Sequence, residues 1–317
     1  MVEKDAGKVP PVLDNPLVFI VELYIISKSV KINETELYMQ GRYWEFCEGV
    51  FSKYSFFNEF RAGRLSKTEY QKEMEKHRTE IIASGIDEYN FGRMSVSVSG
   101  NREVIDMLRD FQLQGGFESI DYGEAGFEAF SAKIKPNYDC GGFLTFIFPE
   151  DELLMYATAA LVKPKTMFVA GSFFGYWVIW AMEAIKKCNG ICTMSDINPD
   201  VMRIAEMNMK KFGYDNYINA VTGDAEKQLL SSDETIDLLV LDATGNHNDE
   251  RESHRGKTLY STLLSAARPR LRKGSIILIH NLERNLPSLA PLINQLDEIS
   301  VAKSELECLN GLGLYKV

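Results

Sequence analysis

The sequence predicts an α/β protein whose second half is a doubly wound sheet with helices on both faces, preceded by a mainly helical N-terminal region. Three observations carry that prediction. From about residue 149 onward, short near-continuous apolar runs alternate with helical segments, the pattern of parallel strands buried on both faces. Over the first ~130 residues apolar side chains instead recur every three or four positions with charges between them. The first strand of the alternating half then runs into a glycine turn, KTMFVAGSFFGYW over 165–177, where such folds bind their ligands.

Taken in order, LVFIVELYIISKSV (17–30), ELYMQGRYWEFCEGVFSKY (36–54) and KTEYQKEMEKHRTEIIASGI (67–86) read as helices. Aromatics crowd the second of these and its continuation: Tyr43, Trp44, Phe46, Phe51, Tyr54, Phe56, Phe57 and Phe60. Such density at helical spacing belongs to a core or a dimer contact. Between 84 and 142 glycine recurs, at Gly115, Gly116, Gly123, Gly126, Gly141 and Gly142, which predicts irregular connections and short helices. FPEDELLMYATAALV then opens a helix with Pro149 and acids suited to the positive end of its dipole. Strands follow at TMFVA (166–170), ICTMS (191–195), INAV (218–221), IDLLVL (236–241) and SIILIH (275–280). Helices are expected between them, over about 176–187, after Asn198-Pro199, after Asp224 and over about 257–272.

Composition narrows the partners. A formal net charge of −10 over 317 residues repels phosphate backbones, so nucleic acid is not an expected partner. Five cysteines without CxxC spacing give neither a disulfide framework nor a zinc site, and they fit reduced thiols in a cytoplasmic protein. The most apolar run, LVFIVELYII at 17–26, is too short to span a bilayer and contains Glu22, so no membrane segment and no signal peptide is expected.

The glycine turn discriminates between cofactors. A dinucleotide fold uses G-x-G-x-x-G there, because a pyrophosphate needs bare backbone and helix amides together. Here Gly171-Ser172-Phe173-Phe174-Gly175 lacks the middle glycine and puts two phenylalanines where a pyrophosphate would lie. Downstream strands end in carboxylates. Asp196 can grip two ribose hydroxyls, Asp224 can accept from an adenine amino group, and Asp242 ends the fourth strand. This acidic rim suits a nucleoside carrying a sulfonium rather than a phosphate, which points to S-adenosylmethionine.

With those residues in place, FPEDELLMYATAALVKPKTMFVAGSFFGYW, SDINPDVMRIAEMN, TGDAEKQL, IDLLVLDA, LRKGSIILIHN and NGLGLYKV together resemble the class I methyltransferases of the catechol and caffeoyl-coenzyme A O-methyltransferase type. The resemblance covers residues 148–317. It implies a Rossmann-like, seven-stranded, mostly parallel sheet with an antiparallel last strand, and methyl transfer to a small molecule. Gly171, Gly175, Asp196, Asp224 and Ala225 fall on cofactor-binding positions of that family. Val169, Ser172, Tyr176, Ile197, Gly223 and Asp242 complete the expected cofactor contacts. Trp177 stands where the family places a serine beside the cofactor's carboxylate. The expected division is a helical cap, dimerisation and substrate region over 1–145 and the methyltransferase domain over 146–317, in a homodimer.

The family positions a divalent metal with an aspartate ending strand four and an Asp-Asn pair ending strand five. Here these are Asp242 and the pair His280-Asn281. An imidazole in an oxygen site opens three readings of His280: a ligand, with Asp242 and Asn281, for a softer metal; a metal-free general base; or a hydrogen-bonded structural histidine. The lysine that the family carries three residues after the strand-four aspartate is Gly245 here, which favours His280 as base. The polar loop 242–257 adds His247 and His254, as a solvated loop or as a lid. The leading expectation is O-methylation of a small molecule by His280, Asp242 and Asn281. N- or C-methylation, a macromolecular acceptor and a non-catalytic binder on the same fold are the alternatives.

Overall fold

The structure is a computed structural model that describes residues 43–62, 64–86, 88–94, 101–143, 145–308 and 310–317, without the side chains of residues 43–45, 89, 90, 93 and 101. The predicted helix over 17–30, the start of the one over 36–54 and the side chains of Tyr43 and Trp44 lie outside the described residues.

Seven strands form one sheet: β1 Thr166–Ala170, β2 Ile191–Asp196, β3 Ile218–Thr222, β4 Ile236–Leu241, β5 Leu271–His280, β6 Ala302–Leu306 and β7 Leu312–Lys316. Their spatial order is β3-β2-β1-β4-β5-β7-β6. Strands β1 to β5 pair in parallel, and β7 runs antiparallel between β5 and β6. The order reverses between β1 and β4, so the crevice outside the carboxyl ends of these strands is the topological switch point.

The near-continuous apolar strands are explained by two cores. Successive side chains of a strand point to opposite faces. Val169, Leu238, Val240, Ile276 and Leu278 enter one core, while Phe168, Ala170, Leu239, Leu241, Ile277 and Ile279 enter the other. All six residues of β4 are buried. The first core is covered by helices α6 (Asn101–Leu113), α7 (Glu124–Ile134), α8 (Pro149–Val162), α9 (Met182–Cys188) and α10 (Pro199–Lys211). The second is covered by α11 (Ala225–Leu230), α12 (Leu259–Ala267) and α13 (Ala290–Ile299).

The preceding helices α1 (Tyr43–Phe51), α2 (Ser55–Arg61), α3 (Lys67–Lys76), α4 (Arg78–Ala83) and α5 (Glu88–Met94) contribute a third core. The aromatic run is that core: Phe51, Phe56, Phe57 and Phe60 are buried, and Phe60 stacks on Tyr70 with ring centroids 4.2 Å apart. Phe148, just before α8, joins it. The segment read as one helix over 67–86 breaks at His77 into α3 and α4.

Two boundaries differ from the periodicity. The chain after Gly175 begins as a 3-10 turn over Val178–Ala181 before α9, because Gly175 is left-handed and the side chains of Tyr176 and Trp177 are held by α8. The helix expected over 257–272 stops at Ala267, since Pro269 has no N–H to continue it, and β5 already starts at Leu271. Among the described residues no helix is long and apolar enough to cross a membrane, and all five cysteines are free thiols.

Candidate active site

The glycine turn sits at the carboxyl end of β1, tied to its neighbours on both sides. The amides of Gly171 and Ser172 both donate to the Ser195 carbonyl, at 2.9 and 3.0 Å. Gly171 has φ +83°, and a Cβ there would lie 2.4 Å from both N and Cα of Ala243. Glycine at 171 is therefore a packing requirement: the turn passes directly over the backbone that follows β4. Phe173 is also left-handed, at φ +48°, and its amide donates to Asp196 Oδ2 at 3.0 Å. Such a conformation is costly for an aromatic residue, and the ion–dipole bond to a carboxylate offsets it.

Asp196, ending β2, also accepts from the Asn198 amide through Oδ1 at 3.0 Å. Burial pushes its carboxyl above the usual aspartate range, against the pull of the two amides. Each oxygen retains a lone pair beyond these bonds. Next to it Ile197 is 74% exposed, a large apolar side chain left bare at the edge of the crevice. The Gly223 amide donates to the Asp196 carbonyl at 2.8 Å, and Asp224 caps α11 by accepting from the Glu226 amide at 3.0 Å. Gly171, Gly175, Asp196, Ile197, Gly223, Asp224 and Ala225 thus share one rim across β1, β2 and β3.

The side chains of other residues named from the sequence are engaged within the protein. Val169 is buried within the sheet, and Ser172 is buried with its hydroxyl 3.3 Å from Met202 Sδ. Tyr176 donates its hydroxyl to Glu152 Oε1 at 2.7 Å, so its ring faces the core and α8. Trp177, standing where the resemblance expects a serine, donates Nε1–H to the Asp151 carbonyl at 2.8 Å and lays its ring 4.8 Å from that of His280.

The second half of the site lies at the ends of β4 and β5. His280 is 4% exposed and held between two carboxylates. Its Nδ1–H donates to Asp242 Oδ1 at 2.8 Å, and its Nε2 lies 3.5 Å from Asp151 Oδ2. Burial alone would drive the imidazole neutral. The charges of Asp242 and Asp151 outweigh it and carry the pKa up to about 9. Asp151 Oδ2 is fixed in turn by the Phe148 amide and by Asn310 Nδ2, each at 2.7 Å. Beside it Glu150 is buried, and burial plus the Asp151 charge push its carboxyl up to about 8.

On the other side of Asp242 sits Lys257, also buried. Its ammonium donates to the Tyr260 hydroxyl at 2.7 Å and to the Ala243 carbonyl at 3.2 Å, and lies 3.7 Å from Asp242 Oδ1. Burial draws its pKa down to about 8, against the pull of Asp242. Tyr260 passes the connection on by donating to the His280 carbonyl at 2.9 Å. The loop between is closed by a bridge pairing Gly245 with Gly256, and His254 Nε2 meets Glu226 Oε2 at 2.8 Å. His247 packs beside Gly256 instead, so the three histidines do not gather on one group.

These donors do not fit a divalent ion. Among the described residues no three His, Cys, Asp or Glu side chains gather as a metal site. The Asp242 oxygen that a metal would take already faces an imidazole N–H and a buried ammonium. A dication there would meet like charge at contact distance.

Asp151, Glu150, Lys257, Tyr260 and Asn310 were not visible as site residues in the sequence. The acids of FPEDELL carry the ordinary signature of a helix start. The one signal for Lys257 was the lysine lacking at Gly245, and no spacing rule points from there to 257.

Residues 168–282 match a family model described as a methyltransferase domain. No curated protein matches the chain significantly. Among solved structures it is similar to an O-methyltransferase from Streptomyces achromogenes involved in tomaymycin synthesis, in complex with SAM, at 15% identity over 63% of this chain and 91% of that one (TM-score 0.44). It is similar also to an O-methyltransferase from Bacillus cereus in complex with SAH, at 15% identity over 70% and 94% (TM-score 0.43). A third is a methyltransferase from Geobacter sulfurreducens, at 18% identity over 61% and 87% (TM-score 0.42). The matched residues run from within β1 to just past the end of β5 and lie on the seven-stranded, mostly parallel sheet.

Proposed function

We propose that the chain is an S-adenosylmethionine-dependent methyltransferase that methylates a hydroxyl of a small molecule. The observation that supports it is the coincidence of the methyltransferase match with the rim built by Gly171, Gly175, Asp196, Ile197 and Asp224. In this reading Asp196 receives the ribose hydroxyls on its free lone pairs, Ile197 covers one face of the adenine, and Asp224 lies at its amino edge. The methionine portion then lies along the Gly171–Gly175 turn, towards the ends of β1 and β4.

Asp242 and His280 then flank the acceptor. Transfer is an in-line displacement: the acceptor oxygen bonds to the methyl carbon as the carbon–sulfur bond breaks, and its proton leaves to a base. His280 in its neutral form is that base, held in one orientation by Asp242, Asp151 and the ring of Trp177. Asn281, at φ +57°, ends the strand beside it.

Calorimetric titration with S-adenosylmethionine and with S-adenosylhomocysteine is the direct test. Stoichiometric binding is expected. No heat at ~1 mM ligand, where even weak cofactor sites fill, removes the proposal.

A further inference from the structure

We propose that Lys257 is a tethered cation that takes the place of a divalent metal at the end of β4, so that this site binds no metal ion. The proposal rests on the methyltransferase reading only in treating Asp242 as the acceptor-side carboxylate. What points to it is the ligand shell of the ammonium. Around Nζ lie the carbonyl oxygens of Asp242 at 3.4 Å and Ala243 at 3.2 Å, the Tyr260 hydroxyl at 2.7 Å and Asp242 Oδ1 at 3.7 Å. Four oxygens, two of them from the backbone and one from a carboxylate, are the donor types that hold a hard cation. Here the chain supplies the cation itself.

The loop explains how a lysine 15 residues further along reaches that cage. Gly245 and Gly256 pair across the loop mouth through reciprocal amide–carbonyl bonds of 2.9 and 3.2 Å, bringing Lys257 back beside Asp242. Gly245 admits no side chain, since a Cβ would stand 1.8 Å from the His254 carbonyl oxygen. The position that could have carried a lysine near the strand end is thus given up to close the loop, and the charge returns from 257. Lys257 acts as a positioning residue: it fixes the Asp242–Ala243 backbone and, through Tyr260, the carbonyl of His280.

The test is manganese(II) titration followed by electron paramagnetic resonance, which reads bound ion without any turnover. The wild-type chain is expected to show no saturable binding up to ~1 mM, the weak end of protein cation sites. Saturable binding that disappears in Asp242→Asn overturns the proposal. Lys257→Met keeps the stem and deletes the charge; a folded variant that gains manganese binding, lost again with Asp242→Asn, supports it. A Lys257→Met chain that is folded, by a cooperative melting curve, and still binds no manganese shows that Lys257 is not what excludes the ion. Cofactor calorimetry on the same samples separates failure of this inference from failure of the methyltransferase reading.

Discussion

Replacing Gly171 by alanine isolates how closely the glycine turn is packed on the end of β4. The new Cβ would sit 2.4 Å from Ala243 N and Cα and 2.7 Å from the Asp242 carbonyl carbon, all well inside the 3.4–4 Å of ordinary contact. None of these is the movable tip of a side chain. Asp242 is held by its amide to the Ala170 carbonyl at 2.9 Å and by its carboxylate to His280, so relief comes from parting β1 and β4 at their carboxyl ends. The left-handed φ of +83° adds its own strain. Left-handed backbone costs an L-residue about 1–2 kcal/mol and overpacking about 1–3 kcal/mol, so roughly 3 kcal/mol of stability should be lost. For a unit of this size that is a fall of roughly 6–12 °C in melting temperature.

Gly115→Ala supplies the control. Gly115 has nearly the same φ, +80°, but nothing within 4 Å of where its Cβ would go. It should lose only the strain, about 1 kcal/mol and ~2–4 °C. Melting curves and calorimetry with S-adenosylhomocysteine read both effects. Gly171→Ala is expected to weaken the cofactor more than about tenfold, at least 1.4 kcal/mol, while Gly115→Ala leaves affinity unchanged. If the two variants melt together, strain alone governs both and the packing argument is wrong. If Gly171→Ala binds the cofactor like the wild type, the turn is not its seat.

Asp196→Ala removes the carboxylate proposed to bind the ribose and the acceptor of the Phe173 amide together, and should also cost at least about tenfold in cofactor affinity by calorimetry. Unchanged affinity would place the nucleoside elsewhere. His280→Ala should abolish turnover of an accepted substrate but leave cofactor binding within a few fold; surviving activity refutes its role as base. With the neutral imidazole as the proposed base, the wild-type rate should climb with pH and level off only near 9, whereas a rate flat from pH 7 to 9 excludes that role. Stability should move the opposite way. The His280 pKa is raised in the folded state, so its contribution is full below its ordinary value near 6.5 and is lost as pH rises through about 9, of order 3 kcal/mol. Glu150, with its carboxyl raised to about 8, adds a loss of the same sign over its own rise from the ordinary glutamate range. Denaturant unfolding at pH 6 and pH 9 checks this, and in His280→Gln the pH dependence should shrink.

The fold was legible where one residue type had one job. Apolar strands buried on both faces left runs such as IDLLVL, and Gly171 had to be bare because Ala243 lies against it. The placement of the proposed cofactor rim was legible for a related reason: Asp196 and Asp224 stand at or just after strand ends, at positions fixed by the alternation itself. The acceptor side was not. Asp151 looks like any acid at a helix start, and only the tertiary approach of β5 and the β6–β7 turn brings His280 and Asn310 to it. Tyr176 and Trp177 share the same limit, since nothing in GYW announces that both side chains reach back to α8.

The charges around β5 explain why those residues had to be found together. Asp151 and Asp242 are both drawn into low dielectric, and neither is affordable there without a cation at hand. His280 serves both, and Lys257 serves Asp242 from the opposite side. Removing either cation leaves a carboxylate short of a partner, while removing Asp242 strips Lys257 of the carboxylate beside it and leaves His280 with Asp151. Asp242→Ala should therefore destabilise the chain more than His280→Ala or Lys257→Met, and the double variant Asp242→Ala/Lys257→Met should recover part of that loss. Unfolding free energies that simply add would show that Asp242 and Lys257 do not share one electrostatic unit.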